Sequence, residues 1–166
     1  VDFYQKVIAE LERTTTKVFL DTSEKPLRLA LKAKPTLIKP NLRELEELKG
    51  HELSFQEVIS VSQDIVTSGL EIVVVSMGND GALLVTDEEV WYAKPPQVEV
   101  VSTVGAGDSM VGALAVAYTK DYSPDEMLGF AVAMSVATIL LPGSEVGSLA
   151  ETEKWRKEVK VKKVEG

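Results

Sequence analysis

Cysteine is absent from the chain, which excludes disulfide scaffolds and thiolate-based metal or catalytic sites. A reducing, cytoplasmic setting fits that composition. Histidine is nearly absent too: the single His51 lies between Gly50 and Glu52 with no partner at ligand spacing, and reads as a loop residue. No apolar run is long enough to span a bilayer. The longest, from Gly129 to Leu141, is interrupted by Ser135 and Thr138 and stops at Pro142. Positive charge is also scarce, with 18 Lys plus Arg against 26 Asp plus Glu and a net charge of −8. That balance argues against nucleic acid or an anionic membrane as the main partner, because both need a basic surface. A small anionic ligand remains open, provided its donors are local.

What is present suits a globular α/β domain. Of the 166 residues, 45% are hydrophobic and 27% charged, enough for one domain with a core of its own, taken here as a single unit over 1–166. The chain opens with Val1 and is already inside a pattern, since Phe3, Tyr4, Val7, Ile8 and Leu11 recur at helical spacing. A trimmed start is one reading of this, and a fragment of a longer protein is the other.

Short apolar runs at Lys17–Leu20 and Thr36–Ile38 predict buried strands, with a helical stretch around Leu27 to Lys34 between them. Asn41-x-x-Glu44 and Ser54-x-x-Glu57 have the spelling of capping boxes. Ile72 to Met77 is the clearest strand, apolar until Ser76, as in a parallel sheet covered on both faces. Ala82–Thr86 and Val90–Ala93 flank Asp87-Glu-Glu89 as a hairpin, and Val98–Val101 reads as a strand-like run. An Ala-rich helix after Asp108 and a second from Ser123-Pro124 to about Leu140 follow. Val159 to Val164 alternates like an edge strand. The sum is a mostly parallel α/β sheet with an antiparallel margin and helices on both faces.

Thr103-Val-Gly-Ala-Gly-Asp108 joins the run at 98–101 to a helix. Small residues at a helix start leave backbone N–H groups free beside a partial positive charge, which suits a phosphate. A plain tight turn, with Asp108 well placed in the first helical turn, is the other reading. A dinucleotide fingerprint, and with it a nicotinamide oxidoreductase, is disfavoured because Met110 stands where the third glycine would be. No Gly-Lys-Ser or Gly-Lys-Thr follows, so this is not a Walker A loop.

Ser102-Thr-Val-Gly-Ala-Gly-Asp-Ser109 closely resembles the signature of the PfkB, or ribokinase-like, carbohydrate kinases. Three further pieces match in order: Asp21-Thr-Ser23, Lys39-Pro-Asn-x-x-Glu44 and Ser76-Met-Gly-Asn-Asp-Gly81. The spellings look most like the fructose-1-phosphate and tagatose-6-phosphate kinase branch. The resemblance implies a ribokinase-like fold, truncated at its N-terminus to the nucleotide-binding part, and an ATP- and Mg²⁺-dependent transfer of phosphate to a sugar-phosphate hydroxyl. It implies Asp108 as general base, with the N–H groups of Gly105, Ala106 and Gly107 as an anion hole. Loose phosphoryl transfer lets the hydroxyl lose its proton late.

Nucleotide contacts carried over by the resemblance are Lys39, Asn41, Ser76, Gly78, Gly81 and Thr103, with Val132 and Val136 beside the adenine. Each has a plainer reading: Lys39 as a solvated charge, Ser76 to Gly81 as a turn, the two valines as core. Asn41 and Glu44 either cap a helix or organise Mg²⁺ through water. Ser102 replaces an aspartate that ribokinases associate with a monovalent cation, and Glu24-Lys25 suggest a modified loop after Asp-Thr-Ser. A nucleotide-binding fragment without a sugar site is the alternative function. Self-association, or pairing with a missing N-terminal part, is expected from exposed sheet edges.

Overall fold

The opening apolar stripe forms a helix in the computed structural model, which describes residues 2–11 and 14–165. This helix, α1, covers Phe3–Leu11, with Ile8 buried and Phe3 67% exposed. The first two expected strands shorten to β1, Phe19–Leu20, and β2, Leu37–Ile38, which pair in parallel. Thr36 falls outside β2, and its hydroxyl accepts the Val18 N–H at 3.0 Å. β2 pairs in parallel with β3, Ile72–Ser76, whose first four residues are buried.

Glu24 and Lys25 do not make a modified loop. They open α2, Glu24–Leu31, because extended Ser23 starts the helix and Pro26, in the first turn, has no N–H to leave unpaired. Both capping boxes form as spelled, ahead of α3, Leu42–Lys49, and α4, Phe55–Thr67. Ser54 Oγ donates to Glu57 Oε2 at 2.6 Å and holds that carboxyl below the usual glutamate range. His51 lies in the bend after α3, exposed, with Nδ1 2.8 Å from the Glu52 carbonyl oxygen.

After β3 a single 3-10 turn, Gly78–Asp80, leads to β4, Ala82–Val85, all buried, and then β5, Val90–Lys94. The Ala-rich helices follow as α5, Ala106–Thr119, and α6, Pro124–Ile139. The segment at 98–101 is not a strand. Val100 and Val101 are 41% and 59% exposed, and the Val101 N–H turns to the Ile139 carbonyl at 2.8 Å. α7, Leu149–Arg156, has no counterpart in the sequence expectations. Its signal is Ser148-x-x-Glu151, where Ser148 Oγ accepts the Glu151 N–H at 3.2 Å. β6, Lys160–Val164, pairs antiparallel with β5. Its lysines lie along an edge: Lys163 Nζ meets Glu89 Oε1 at 2.6 Å and Lys162 sits 5.5 Å over the Tyr92 ring. Lys163, and then the Trp91 indole N–H, hold the Glu89 carboxyl below its ordinary value.

Among the described residues six strands lie in one sheet in the order β1-β2-β3-β4-β5-β6, the mixed α/β architecture expected. Two compact units divide the chain. The first runs to Ser76 and takes in Val85–Glu88, and the second comprises Met77–Leu84 and Glu89–Glu165. No helix among the described residues is long and apolar enough to cross a membrane.

Candidate active site

Parallel neighbours deliver the residues after each strand to the same end of a sheet, where open α/β sheets bind ligands. In the first unit Asp21 follows β1, Lys39 follows β2 and Ser76 ends β3. Ser76 N–H donates to the Pro40 carbonyl at 3.1 Å, and Asn41 and Ser76 form a parallel bridge. Lys39, Asn41, Glu44 and Ser76 therefore share one end of this unit. Lys39 is not a solvated charge: it is 4% exposed, and its Nζ pairs with Asp21 Oδ2 at 3.2 Å. A buried ammonium needs such a partner, since an unpaired one would be costly. Asp21 was visible only as part of a motif, and its pairing with Lys39 is a tertiary fact.

Asn41 and Glu44 make both arms of the capping box. Asn41 Oδ1 accepts the Glu44 N–H at 2.9 Å, and Glu44 Oε2 accepts the Asn41 N–H at 2.8 Å. Among the described residues, Glu44 Oε1 takes no further hydrogen bond. No cluster of three or more His, Cys, Asp or Glu able to hold a metal exists among them either. One free carboxylate oxygen suits Mg²⁺, which keeps several waters and leans on substrate phosphates rather than on an all-protein cage.

In the second unit the glycine turn is built around Gly105, whose φ of 80° is a left-handed conformation that glycine adopts without steric cost. α5 begins at the next residue, and Asp108 is its third, exposed to solvent. Ser109 N–H closes the first turn onto the Gly105 carbonyl at 2.8 Å, while Ala106 N–H reaches the Thr103 carbonyl at 3.4 Å. Among the described residues no acceptor meets the N–H groups of Gly105, Gly107 and Asp108. Two of the three donors expected from sequence are thus free, Ala106 is engaged, and Asp108 adds one that sequence reasoning missed. Helix geometry alone would have found it, since the first N–H groups of any helix lack partners. Thr103 is exposed beside them. Ser102 Oγ donates to the Gly143 carbonyl at 2.8 Å and accepts the Val104 N–H at 3.2 Å, pinning the approach to the turn.

Gly78 and Gly81 frame the 3-10 turn, which Tyr92 and Lys94 hold by donating to the carbonyls of Asp80 and Asn79 at 2.6 and 2.7 Å. Gly81, at φ 99°, has no room for a side chain: a Cβ would stand 2.2 Å from the Ala93 carbonyl oxygen. Gly78, at φ 57°, faces open space. Val132 and Val136 are 3% and 2% exposed on α6, so what they supply here is core packing.

The family model described as pfkB family carbohydrate kinase matches residues 2–151, a span that holds every motif above. The chain belongs to the PfkB family of carbohydrate kinases. It is 42% identical over 159 residues to the 1-phosphofructokinase of Haemophilus influenzae, covering 95% of this chain and 51% of that protein. With the Escherichia coli K12 1-phosphofructokinase it shares 44% identity over 131 residues, 78% of this chain and 41% of that one. Among solved structures, phosphofructokinase-2 of Escherichia coli superposes with a TM-score of 0.90 at 36% identity, over 95% of this chain and 52% of that one. The ribokinase of Thermotoga maritima follows the same fold with a TM-score of 0.77 at 25% identity, covering 90% and 52% of the two chains. The PfkB chain described here spans about half the length of the curated relatives it matches.

Proposed function

We propose that this chain carries the nucleotide-binding and phosphoryl-transfer chemistry of an ATP-dependent kinase acting on a sugar phosphate of the fructose 1-phosphate or tagatose 6-phosphate type. The observation that carries it is the start of α5, where the exposed Asp108 carboxylate stands one residue after a backbone N–H that has no acceptor among the described residues. The attacking sugar hydroxyl passes its proton to Asp108 as its oxygen bonds to the γ-phosphorus and ADP leaves. The N–H groups of Gly105, Gly107 and Asp108 hold the phosphoryl oxygens, donors of the kind that contribute about 2.7–4 kcal/mol each when pre-aimed. The nucleotide contacts of this reading are Lys39, paired with Asp21, Asn41 and Ser76 in the first unit, and Gly78 and Thr103 in the second. Glu44 Oε1 would order the waters of a bound Mg²⁺, which would supply charge neutralisation at the phosphate oxygens. Exposed Phe3 and Tyr4 on α1 support self-association of the chain or its burial against further polypeptide.

Calorimetric titration with Mg·ATP, with NADH as the comparison ligand, tests the reading. Saturable binding of ATP and none of NADH is expected. A folded chain that binds NADH in preference overturns the kinase reading.

Glu44→Gln separates the two roles of that residue, because glutamine serves equally in a capping box but lacks the charge. The Mg²⁺ concentration for half-maximal activity should rise about tenfold with the melting midpoint unchanged. An unaltered Mg²⁺ response would leave Glu44 as a helix cap alone.

A further inference from the structure

The apolar run inside α6 is broken by Ser135 and Thr138, and the chemistry above uses neither. A hydroxyl in a helix interior commonly turns back on the carbonyl one turn earlier. Thr138 does so, donating to the Met134 carbonyl at 2.9 Å. Ser135 reaches out of α6 instead: its Oγ donates to the Ala106 carbonyl at 2.8 Å, a residue 29 positions away. Ala106 is the first residue of α5, and Ser109 Oγ donates to the same carbonyl at 3.0 Å. Thr138, one helical step from Ser135, accepts the Gly147 N–H at 3.1 Å. Its methyl carbon lies 3.8 Å from where a Cβ on Gly105 would stand. This face of α6 is therefore the backing of the glycine turn.

The peptide bond makes the consequence specific. The Ala106 carbonyl and the Gly107 N–H belong to one planar trans unit, so a grip on the oxygen sets the direction in which the N–H points. We infer that Ser135 is a positioning residue for phosphoryl transfer, acting through the Ala106 carbonyl to aim the Gly107 N–H and, through the first turn of α5, the Asp108 carboxylate. The inference rests on the kinase reading of the turn. Its cost in stability is small, because Ser109 still satisfies the Ala106 carbonyl when Ser135 is lost, and alanine is a better helix former than serine.

The test is Ser135→Ala in the complete gene product, with Ser135→Thr restoring a hydroxyl. For Ser135→Ala, kcat should fall about tenfold with KM for ATP and the melting midpoint held, and Ser135→Thr should recover most of the loss. Amide exchange at Ser109, whose N–H closes the first turn, should quicken in the alanine variant while exchange in the rest of α5 stays as it was. An unchanged kcat in an active enzyme overturns the inference, as does a KM effect that accounts for the whole loss. If the unaltered protein transfers no phosphate to any sugar phosphate, the kinase reading fails. Ser109 exchange then still reports whether Ser135 holds the turn, and unchanged exchange refutes even that.

Discussion

Replacing Asp108 by asparagine in the complete gene product is expected to lower kcat by about 10²- to 10⁴-fold, the usual contribution of a positioned general base. ATP affinity should be nearly unchanged. On the proposed role the carboxylate would accept a proton only as the sugar oxygen attacks, so its loss should remove an interaction made in the transition state and lower kcat and kcat/KM together. The substitution is nearly isosteric and the side chain is exposed, so the fold should not suffer. The backbone donors of Gly105, Gly107 and Asp108 survive it and should preserve a residual rate. Steady-state kinetics with ATP and the sugar phosphate varied separately decide the matter: near-normal turnover would sink the assignment of the base. A matching loss of ATP affinity would point instead to a role in holding the nucleotide.

Gly81→Ala should be the most damaging small substitution in the chain's second unit. Two costs coincide there, a φ of 99° that an L side chain rarely adopts and a Cβ placed 2.2 Å from the Ala93 carbonyl oxygen. That oxygen belongs to β5 in the sheet and cannot swing aside as a flexible side chain would. Strained backbone and overpacking together imply a loss on the order of 3 kcal/mol, and a fall in melting midpoint on the order of 10 °C. Gly78→Ala is the control. It shares the left-handed backbone, at φ 57°, but meets nothing within 4 Å, and should cost only about 1–2 kcal/mol. The pair also divides two explanations of the motif. Gly81 is accounted for by packing, whereas Gly78 has free space that a nucleotide could use, so its alanine variant should weaken ATP binding more than it weakens the fold. Equal melting midpoints for the two variants would mean the loop shifts to admit a side chain, and the packing account of Gly81 would fall.

Local chemistry makes much of this protein legible in its sequence. Asn41-x-x-Glu44 and Ser54-x-x-Glu57 are short-range patterns whose hydrogen bonds close within one helical turn, and both formed as spelled. The apolar run into Ser76 and the small-residue turn before Asp108 likewise depend on neighbours in sequence, so strand, turn and helix start could be read directly. The edge strand at Lys160–Val164 was visible in its alternation. The same locality explains the failure at 98–101, where a β-branched run reads as a strand but its amide turns to the Ile139 carbonyl instead. α7 was legible in principle from Ser148 and Glu151, although its largely polar face gives little periodicity.

Whatever depends on distant partners had to wait for the tertiary structure. Sequence placed Lys39 near phosphate chemistry, but only the parallel pairing of β1 and β2 brings Asp21 to 3.2 Å from its ammonium. Ser135 looked like a blemish in an apolar helix until α6 was seen against the start of α5, where its hydroxyl meets Ala106. Gly81 looked like one more glycine in a motif until the Ala93 carbonyl appeared beside it. A hydrogen bond within a turn is written in the spacing of a few residues. Contacts across 18, 29 or 12 positions, such as Val18 to Thr36, Ser135 to Ala106 and Tyr92 to Asp80, exist only because the whole sheet and its helices have closed around them.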